Sequence, residues 1–214
     1  MLERVAEDPE APTTVTDRQS ILRDHLADSL VALELAEVRN ATAIADLGAG
    51  AGFPGLPLAI ALPGAQVSLV ESNGRKCAYI AGAVEACALH TAAAVHTRVE
   101  EWAAGRGACD LVTARALAPL AVVAEYAAPL LTVGGSLVAW RGRRDAEDEA
   151  AGGRAAAELG LEPGLVLRVE PYPGALHRHL HVMRKVASTP DRFPRRAGMA
   201  RKRPLGGASD RARR

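Results

Sequence analysis

A glycine-rich segment follows one apolar run of the chain, and an acidic residue ends the next run. The segment is Asp46-Leu47-Gly48-Ala49-Gly50-Ala51-Gly52-Phe53-Pro54-Gly55, and Glu71 lies nineteen residues beyond Gly52. Glycines let a backbone pass close to a ligand, and the first amides of a helix near Pro54 are expected to hold a carboxylate. A strand-end carboxylate accepts hydrogen bonds from two ribose hydroxyls. Gly48, Gly50 and Glu71 are therefore candidate contacts for a nucleoside cofactor.

Phe53 separates two classes of cofactor. A dinucleotide fingerprint, GxGxxG, that begins at Gly48 requires glycine at this position for helix packing and access of the pyrophosphate. Phe53 fails that requirement. We therefore predict an S-adenosylmethionine-dependent methyltransferase rather than an NAD-dependent dehydrogenase. A glycine turn without a ligand is disfavoured, because three glycines and Glu71 all fall where a nucleoside needs them.

The segment Thr113-Ala114-Arg115-Ala116 bears on the reacting atom. It is not the Asp/Asn-Pro-Pro-Tyr/Phe pattern of enzymes that methylate exocyclic amines, and no cysteine follows a proline. A nucleophile with a free lone pair needs neither device, so we assign no general acid or base. Arg115 is a candidate for orienting the cofactor or a phosphate. The alternative is that it only forms an ion pair.

Strands and helices that could position these residues alternate along the chain. Apolar spacing predicts helices at 18–35, 54–62, 119–131 and 145–159, and another that Ser72 or Asn73 caps and that runs to about 88. Short β-branched runs predict strands at 43–47, 66–71, 93–97, 110–114, 136–140, 165–170 and 179–185. We predict an α/β, Rossmann-like fold with a mostly parallel sheet, helices on both faces and a C-terminal antiparallel strand at its end.

The charge is distributed unevenly over the 214 residues. Residues 191–214 hold nine Lys/Arg and two Asp, a net +7, whereas the whole chain has a net charge of +1. We expect a loose N-terminal arm at 1–17, a methyltransferase domain at 18–190 and a basic C-terminal tail at 191–214. An acidic body with a basic tail favours a polyanionic partner, although a merely solvated tail is the alternative.

Residues 192–205 of the tail contain two prolines, a glycine and six basic residues, so we expect this segment to be extended or loosely docked. Phe193 is a candidate anchor onto the domain. Removal of the tail is then expected to leave cofactor binding intact. The candidate RNA contacts in the tail are Arg195, Arg196, Arg201, Lys202 and Arg203.

The remaining sequence features bear on compartment, membrane and metal. The three cysteines form no CxxC pair and no signal peptide opens the chain, so we expect a cytoplasmic protein. The uncharged stretch 47–70 holds three prolines and five glycines, which argues against a membrane span. His177, His179 and His181 alternate on one strand but lack Cys or acidic companions, so no metal is expected.

Five segments together resemble the glucose-inhibited division protein B family, the ribosomal RNA small-subunit methyltransferase G enzymes. The resemblance implies methylation of ring nitrogen 7 of one guanosine in 16S rRNA near the decoding site, with that RNA or the small ribosomal subunit as partner. It also implies cofactor contacts at Gly48, Phe53, Val99, Glu100 and Arg115. The segments, in family order, are Asp24-His25-Leu26-Ala27-Asp28-Ser29, 46–55, Arg98-Val99-Glu100-Glu101, Thr113-Ala114-Arg115-Ala116 and Arg178-His179-Leu180.

Other residues of these segments receive physical interpretations. Glu100 is placed to meet an adenine edge and Val99 to pack on its face, unless Glu100 only begins a helix. His25, Asp28 and Ser29 share one helix face, and either close over the active site or form a packing cluster. Arg141-Gly142 stands where the family pattern leads us to expect Lys-Gly, so Arg141 is a further RNA candidate. A non-catalytic RNA-binding protein with this fold, or a small-molecule methyltransferase, is the alternative function.

Overall fold

Seven strands form one sheet in the order β3-β2-β1-β4-β5-β7-β6. The computed structural model describes residues 5, 6, 8, 11–15 and 17–207. No helix in that part of the chain is long and apolar enough to cross a membrane. The strands are β1 (Ala43–Leu47), β2 (Gln66–Glu71), β3 (Ala92–His96), β4 (Cys109–Arg115), β5 (Leu131–Arg141), β6 (Leu161–Val169) and β7 (Arg178–Lys185).

A helical stretch of mixed geometry, α1, precedes the sheet. It comprises Arg18–Ser20, the π-helical Ile21–Ala27, Asp28–Leu30 and the 3-10 turn Val31–Glu34. π-helical turns are rare and occur frequently at functional sites. The later helices are α2 (Ala36–Arg39), α3 (Gly55–Ala61), α4 (Gly74–Ala86), α5 (Leu120–Ala127), α6 (Ala146–Leu159) and α7 (Met199–Lys202).

Strand pairing creates the crevice where a ligand is expected. β1 is parallel to both β2 and β4. The chain runs from β1 to β2 and β3 on one side, and then crosses back to β4 on the other side of β1. In such sheets ligands bind at this point, beyond the carboxyl ends of the strands. The glycine loop, Glu71 and Arg115 all follow or end these three strands.

Two apolar clusters cover the two faces of the sheet. Successive strand residues alternate between them, as Ile44 packs into one cluster and Ala45 into the other. Helices α5 and α6 cover the face that contains Ala45, whereas α2, α3 and α4 cover the opposite face. The mostly parallel, two-sided sheet predicted from the sequence is confirmed.

The antiparallel strand β7 lies between β5 and β6, one position inside the edge where the sequence placed it. Several boundaries also differ from prediction, such as the start of β6 at Leu161 rather than at 165. Helix α5 ends at Ala127 rather than at 131, because Pro129 has no amide hydrogen to donate to the helix. β5 begins at Leu131, and its pairing with β4 shifts register before Ser136, so the Gly134-Gly135 step lies within the strand.

The described parts of both chain ends pack onto the domain. Val5 is buried with Ile21 and Phe53, and the Thr13 hydroxyl lies 2.8 Å from His25 Nε2. At the other end Phe193 is buried in the cluster under α5 and α6. These contacts correct the expectation of a loose arm and a loosely docked tail. Residues 1–4, 7, 9, 10, 16 and 208–214, which also belong to those predicted segments, lie outside the described residues.

Candidate active site

The loop after β1 turns at Gly48, whose φ is +64°. The Gly48 amide donates to the Val70 carbonyl at 2.9 Å, which ties the loop to the end of β2. A Cβ at Gly48 would lie 2.5 Å from Leu117 Cδ1, and side chains disfavour positive φ. Bare backbone therefore faces the space above the sheet.

Asp46 holds this loop in place through its buried carboxylate. Its carboxylate accepts hydrogen bonds from the Gly55 amide and the Thr113 hydroxyl, each at 2.9 Å. Burial raises the pKa of Asp46 to about 6, although both hydrogen bonds favour the charged form. The following amide, that of Leu56, donates to the Gly52 carbonyl at 2.7 Å. The first amides of α3 are thus used within the protein, which corrects the expectation that they hold a carboxylate ligand.

Glu71 joins the loops that follow β1 and β2. Its Oε2 accepts a hydrogen bond from the Gly50 amide at 3.1 Å, and its Oε1 accepts one from the Asn73 amide at 2.8 Å. The side chain is only 8% exposed. The two amides fix the carboxylate, while each oxygen keeps a second lone pair.

A cavity of about 320 Å³ lies over these strand ends. We call it the loop cavity; its lining includes Gly48, Ser72, Val99, Glu100, Leu117 and Arg201. Glu100 lies in the short 3-10 helix Val99–Glu101, and its Oε1 accepts a hydrogen bond from the Gly198 amide at 2.8 Å. The cavity combines apolar walls with a hydrogen-bonding carboxylate.

Arg115, at the end of β4, is held by α1. Its Nη1 donates to Asp28 Oδ2 and to the Asp24 carbonyl, both at 3.0 Å, and its Nη2 lies 3.3 Å from His25 Nδ1. The guanidinium carbon lies 5.4 Å from the centre of the Phe53 ring, on which His25 stacks at 4.5 Å. Burial, and then Arg115, lowers the pKa of His25. Arg115 therefore forms the ion pair of the alternative interpretation and also contacts the loop residue Phe53.

Asp28 connects α1 to the far side of the sheet. Its Oδ1 lies 3.4 Å from Arg178 Nε, and its carbonyl accepts a hydrogen bond from Trp140 Nε1 at 2.7 Å. Ser29 is buried and donates to the His25 carbonyl at 2.5 Å. The face that His25, Asp28 and Ser29 share thus packs internally and also reaches the site. Asp28 borders a second cavity of about 240 Å³, the arginine cavity, together with Arg115, Arg141, Arg143, Arg178 and His179.

Comparison with known proteins decides the family. The model of the rRNA small subunit methyltransferase G family matches residues 12–171. This chain belongs to that family. A ribosomal RNA small subunit methyltransferase G from Chloroflexus aggregans is 42% identical over 90% of this chain and 82% of its own, and one from Rubrobacter xylanophilus is 41% identical over 88% and 75%. The structure of a SAM-dependent methyltransferase from Aquifex aeolicus aligns with a TM-score of 0.61 at 14% identity, over 78% of this chain and 93% of its own, which indicates the shared fold.

Two of the RNA candidates in this family member are engaged in ion pairs. Arg141 donates to the Ala118 carbonyl at 2.8 Å and pairs with Asp148. Arg195 pairs through its Nε and Nη2 nitrogens with Glu125, which is 1% exposed. The Arg195 guanidinium is therefore occupied within the fold, which argues against the prediction that it contacts RNA.

The other candidates lie on the C-terminal segment. Arg201 is exposed, donates to the Leu117 carbonyl at 3.0 Å and lines the loop cavity. Arg196, Lys202 and Arg203 are exposed and form no ion pair with any described residue. Of the predicted RNA contacts, two are therefore held in ion pairs, one lines the loop cavity, and three are exposed without an ion pair to a described residue.

Sequence reasoning did not assign Arg143 and Arg178 to the site. Arg178 belongs to a segment of the family resemblance, whereas no local pattern marked Arg143.

The alternating histidines differ in their surroundings. His181 is buried 3.9 Å from Glu149, whereas His179 Nδ1 donates to the Gly142 carbonyl at 2.8 Å. Among the described residues, no group of three or more His, Cys, Asp or Glu is arranged to hold a metal.

Proposed function

We propose that this chain transfers a methyl group from S-adenosylmethionine to ring nitrogen 7 of a guanine in 16S rRNA, either as RNA or within the small ribosomal subunit. One observation carries the proposal. Arg115 and Ala116 line the arginine cavity, and the next residue, Leu117, lines the loop cavity. A cofactor site and a polyanion site would then meet at the end of β4. Family membership supports the class of substrate.

The loop cavity fits an adenosine. Glu71 does not line the cavity itself but lies between Val70 and Ser72, which do. It is held by two amides and has lone pairs left for ribose hydroxyls. Glu100 Oε2 accepts no hydrogen bond from the described residues, so it is available to the adenine amino group. Val99 and Leu117 offer apolar surface to the base. Phe53 is buried against His25, at the position where a dinucleotide loop needs glycine.

The chemistry requires alignment rather than proton removal. S-adenosylmethionine, when bound, supplies a methyl group on a positively charged sulfur. The lone pair of guanine nitrogen 7 is unprotonated at neutral pH, so no residue must act as a general base. Arg115 would orient the reacting groups from its fixed place between Asp28 and Phe53, and Phe53 with His25 would exclude water. Such positioning supplies a large part of the rate enhancement in enzymes.

The arginine cavity supports an RNA substrate. Arg141, Arg143 and Arg178 line it together with Asp28. Arg141 is paired with Asp148, so Arg143 and Arg178 would contact phosphates together with the exposed Arg196, Lys202 and Arg203. This concentration of guanidinium groups disfavours a small-molecule methyltransferase. An organised cofactor loop disfavours an RNA-binding protein without activity. A ribosomal substrate also implies a cytoplasmic location.

Two measurements test the proposal. Calorimetry should detect binding of S-adenosylmethionine and none of NAD. Mass analysis of 16S rRNA from cells that lack the protein should reveal the loss of one 7-methylguanosine, which the intact gene restores. An unchanged 7-methylguanosine content in those cells would contradict the assigned substrate.

A further inference from the structure

The C-terminal residues 191–207, here called the C-terminal strap, are packed into the domain. Phe193, Ala200 and Leu205 are buried in the same apolar cluster as α5 and α6. Arg154 of α6 donates to the Gly206 carbonyl at 2.7 Å. Apolar anchors near both ends of the strap therefore fix its course across the surface.

A buried ion pair holds the middle of the strap. Glu125 on α5 is 1% exposed, and both of its oxygens accept hydrogen bonds from Arg195. Arg195 also donates to the Arg203 carbonyl at 2.8 Å, which closes the strap into a loop. Removal of one partner of such a pair leaves an uncompensated buried charge. The position of the strap is thus strongly determined.

From this fixed course the strap reaches the loop cavity at two points. The Gly198 amide donates to Glu100 Oε1 at 2.8 Å and leaves Oε2 free. Three residues later, Arg201 lines the cavity and donates to the Leu117 carbonyl at 3.0 Å. The Leu117 side chain also lies close to Gly48, since a Cβ added to Gly48 would clash with it. Two lining residues of the cavity, Glu100 and Leu117, are therefore held by hydrogen bonds from the strap.

We propose that the C-terminal strap is part of the cofactor site: the Gly198 amide orients Glu100 toward the adenine, and Arg201 forms the outer wall of the loop cavity. The inference rests on the proposed function, which identifies this cavity as the adenosine site. It reverses the expectation that removal of the tail leaves cofactor binding intact. The docked strap would strengthen cofactor binding by some factor. Because such coupling is reciprocal, a bound cofactor would strengthen docking of the strap by the same factor.

The test compares the full-length protein with Arg201→Ala and Arg192→Ala. Arg192 is the matched control, because it lies in the strap but pairs with Glu158, away from the cavity. Calorimetry with S-adenosylhomocysteine should give about tenfold weaker binding for Arg201→Ala, as expected for the loss of a charged wall residue. The control should bind as the unmodified protein does. Arg201 is exposed, so its removal should leave the melting temperature unchanged.

Hydrogen exchange gives a second readout on the unmodified protein. S-adenosylhomocysteine should slow the exchange of amides between 195 and 203. This inference alone would be overturned if Arg201→Ala bound S-adenosylhomocysteine as tightly as the unmodified protein does. It would also be overturned if the ligand did not change the exchange rates of the strap amides. If the unmodified protein itself does not bind the ligand, the proposed function fails and the inference fails with it.

Discussion

Arg115 receives contacts from a carboxylate, a carbonyl, an imidazole and an aromatic ring. Asp28 and the Asp24 carbonyl take one nitrogen, His25 lies beside the other, and Phe53 lies under the guanidinium plane. Only a planar group with several donors can satisfy these partners at once. The ion pair and the positioning role are thus compatible, because the pair fixes the guanidinium beside the loop.

Replacement of Arg115 by lysine separates these two roles. Lysine keeps the charge near the buried Asp28 but presents one nitrogen, so it cannot hold the same geometry. We expect methyl transfer to fall about 100-fold, the scale of a small misplacement of reacting groups. Single-turnover transfer and thermal melting should be measured together. A loss of activity that only parallels the loss of stability would leave Arg115 with a structural role.

Glu71→Gln tests the ribose contact. Glutamine keeps the shape but points an NH₂ group at the Gly50 or the Asn73 amide, and it removes the charge. Affinity for S-adenosylhomocysteine should weaken by about 1–3 kcal/mol. Glu85→Gln, an exposed change on α4, is the matched control in the same calorimetric titration. Unaltered affinity would mean that Glu71 only braces the loop.

At the scale of elements, the joint between β1 and α3 depends on Gly55. A Cβ there would lie 2.7 Å from Asp46 Oδ2 and 2.9 Å from Leu69 Cδ2, both deeply buried. Gly55→Ala should therefore destabilise the protein by about 1–3 kcal/mol and also weaken cofactor binding. Gly64→Ala is the control, because nothing lies within 4 Å of its added Cβ. Equal melting temperatures of the two variants would contradict this packing.

Lys185 links β7 to the end of α6. It is 2% exposed, donates to the Leu159 carbonyl at 2.9 Å, and burial lowers its pKa to about 8. Between that value and the ordinary lysine pKa of about 10.4, the unfolded chain binds the proton and the folded chain does not. The free energy of unfolding should therefore rise with pH in this window.

Lys185→Met removes the titrating group and should remove this rise, a difference of up to about 3 kcal/mol across the window. Urea unfolding at several pH values measures it. Lys76→Met, on the exposed surface of α4, is the control. An identical pH dependence in Lys185→Met and the unmodified protein would exclude the lowered pKa.

Local patterns predicted the elements and the loop, but not the contacts between distant segments. Short β-branched runs predicted ranges that overlap all seven strands of the described residues. Of the two proposed caps of α4, Asn73 accepts a hydrogen bond from the Lys76 amide. No local signal pairs Arg195 with Glu125, seventy residues away. The cationic composition of the strap indicated solvent or RNA instead, because the buried acid that neutralises it lies in an otherwise apolar helix.

For the whole molecule, the distribution of charge differs from that expected from the sequence. Arg192 and Arg195 are paired with acids of α6 and α5. The arginine cavity instead combines side chains from β4, β5, the loop that follows β5, and β7. Sequence order separates these residues, and only the sheet order β4-β5-β7 brings them together. A basic surface of this kind could not be located from composition alone.

The central claim, methyl transfer from S-adenosylmethionine to guanine nitrogen 7 of 16S rRNA, is tested most directly with purified components. The protein is incubated with methyl-labelled S-adenosylmethionine and small ribosomal subunits, or 16S rRNA, from cells that lack it. We predict label in one guanosine of 16S rRNA, identified by mass spectrometry as 7-methylguanosine, and strongly reduced label with Arg115→Lys. Label at another atom or in another RNA, or no transfer to either substrate, would contradict the claim.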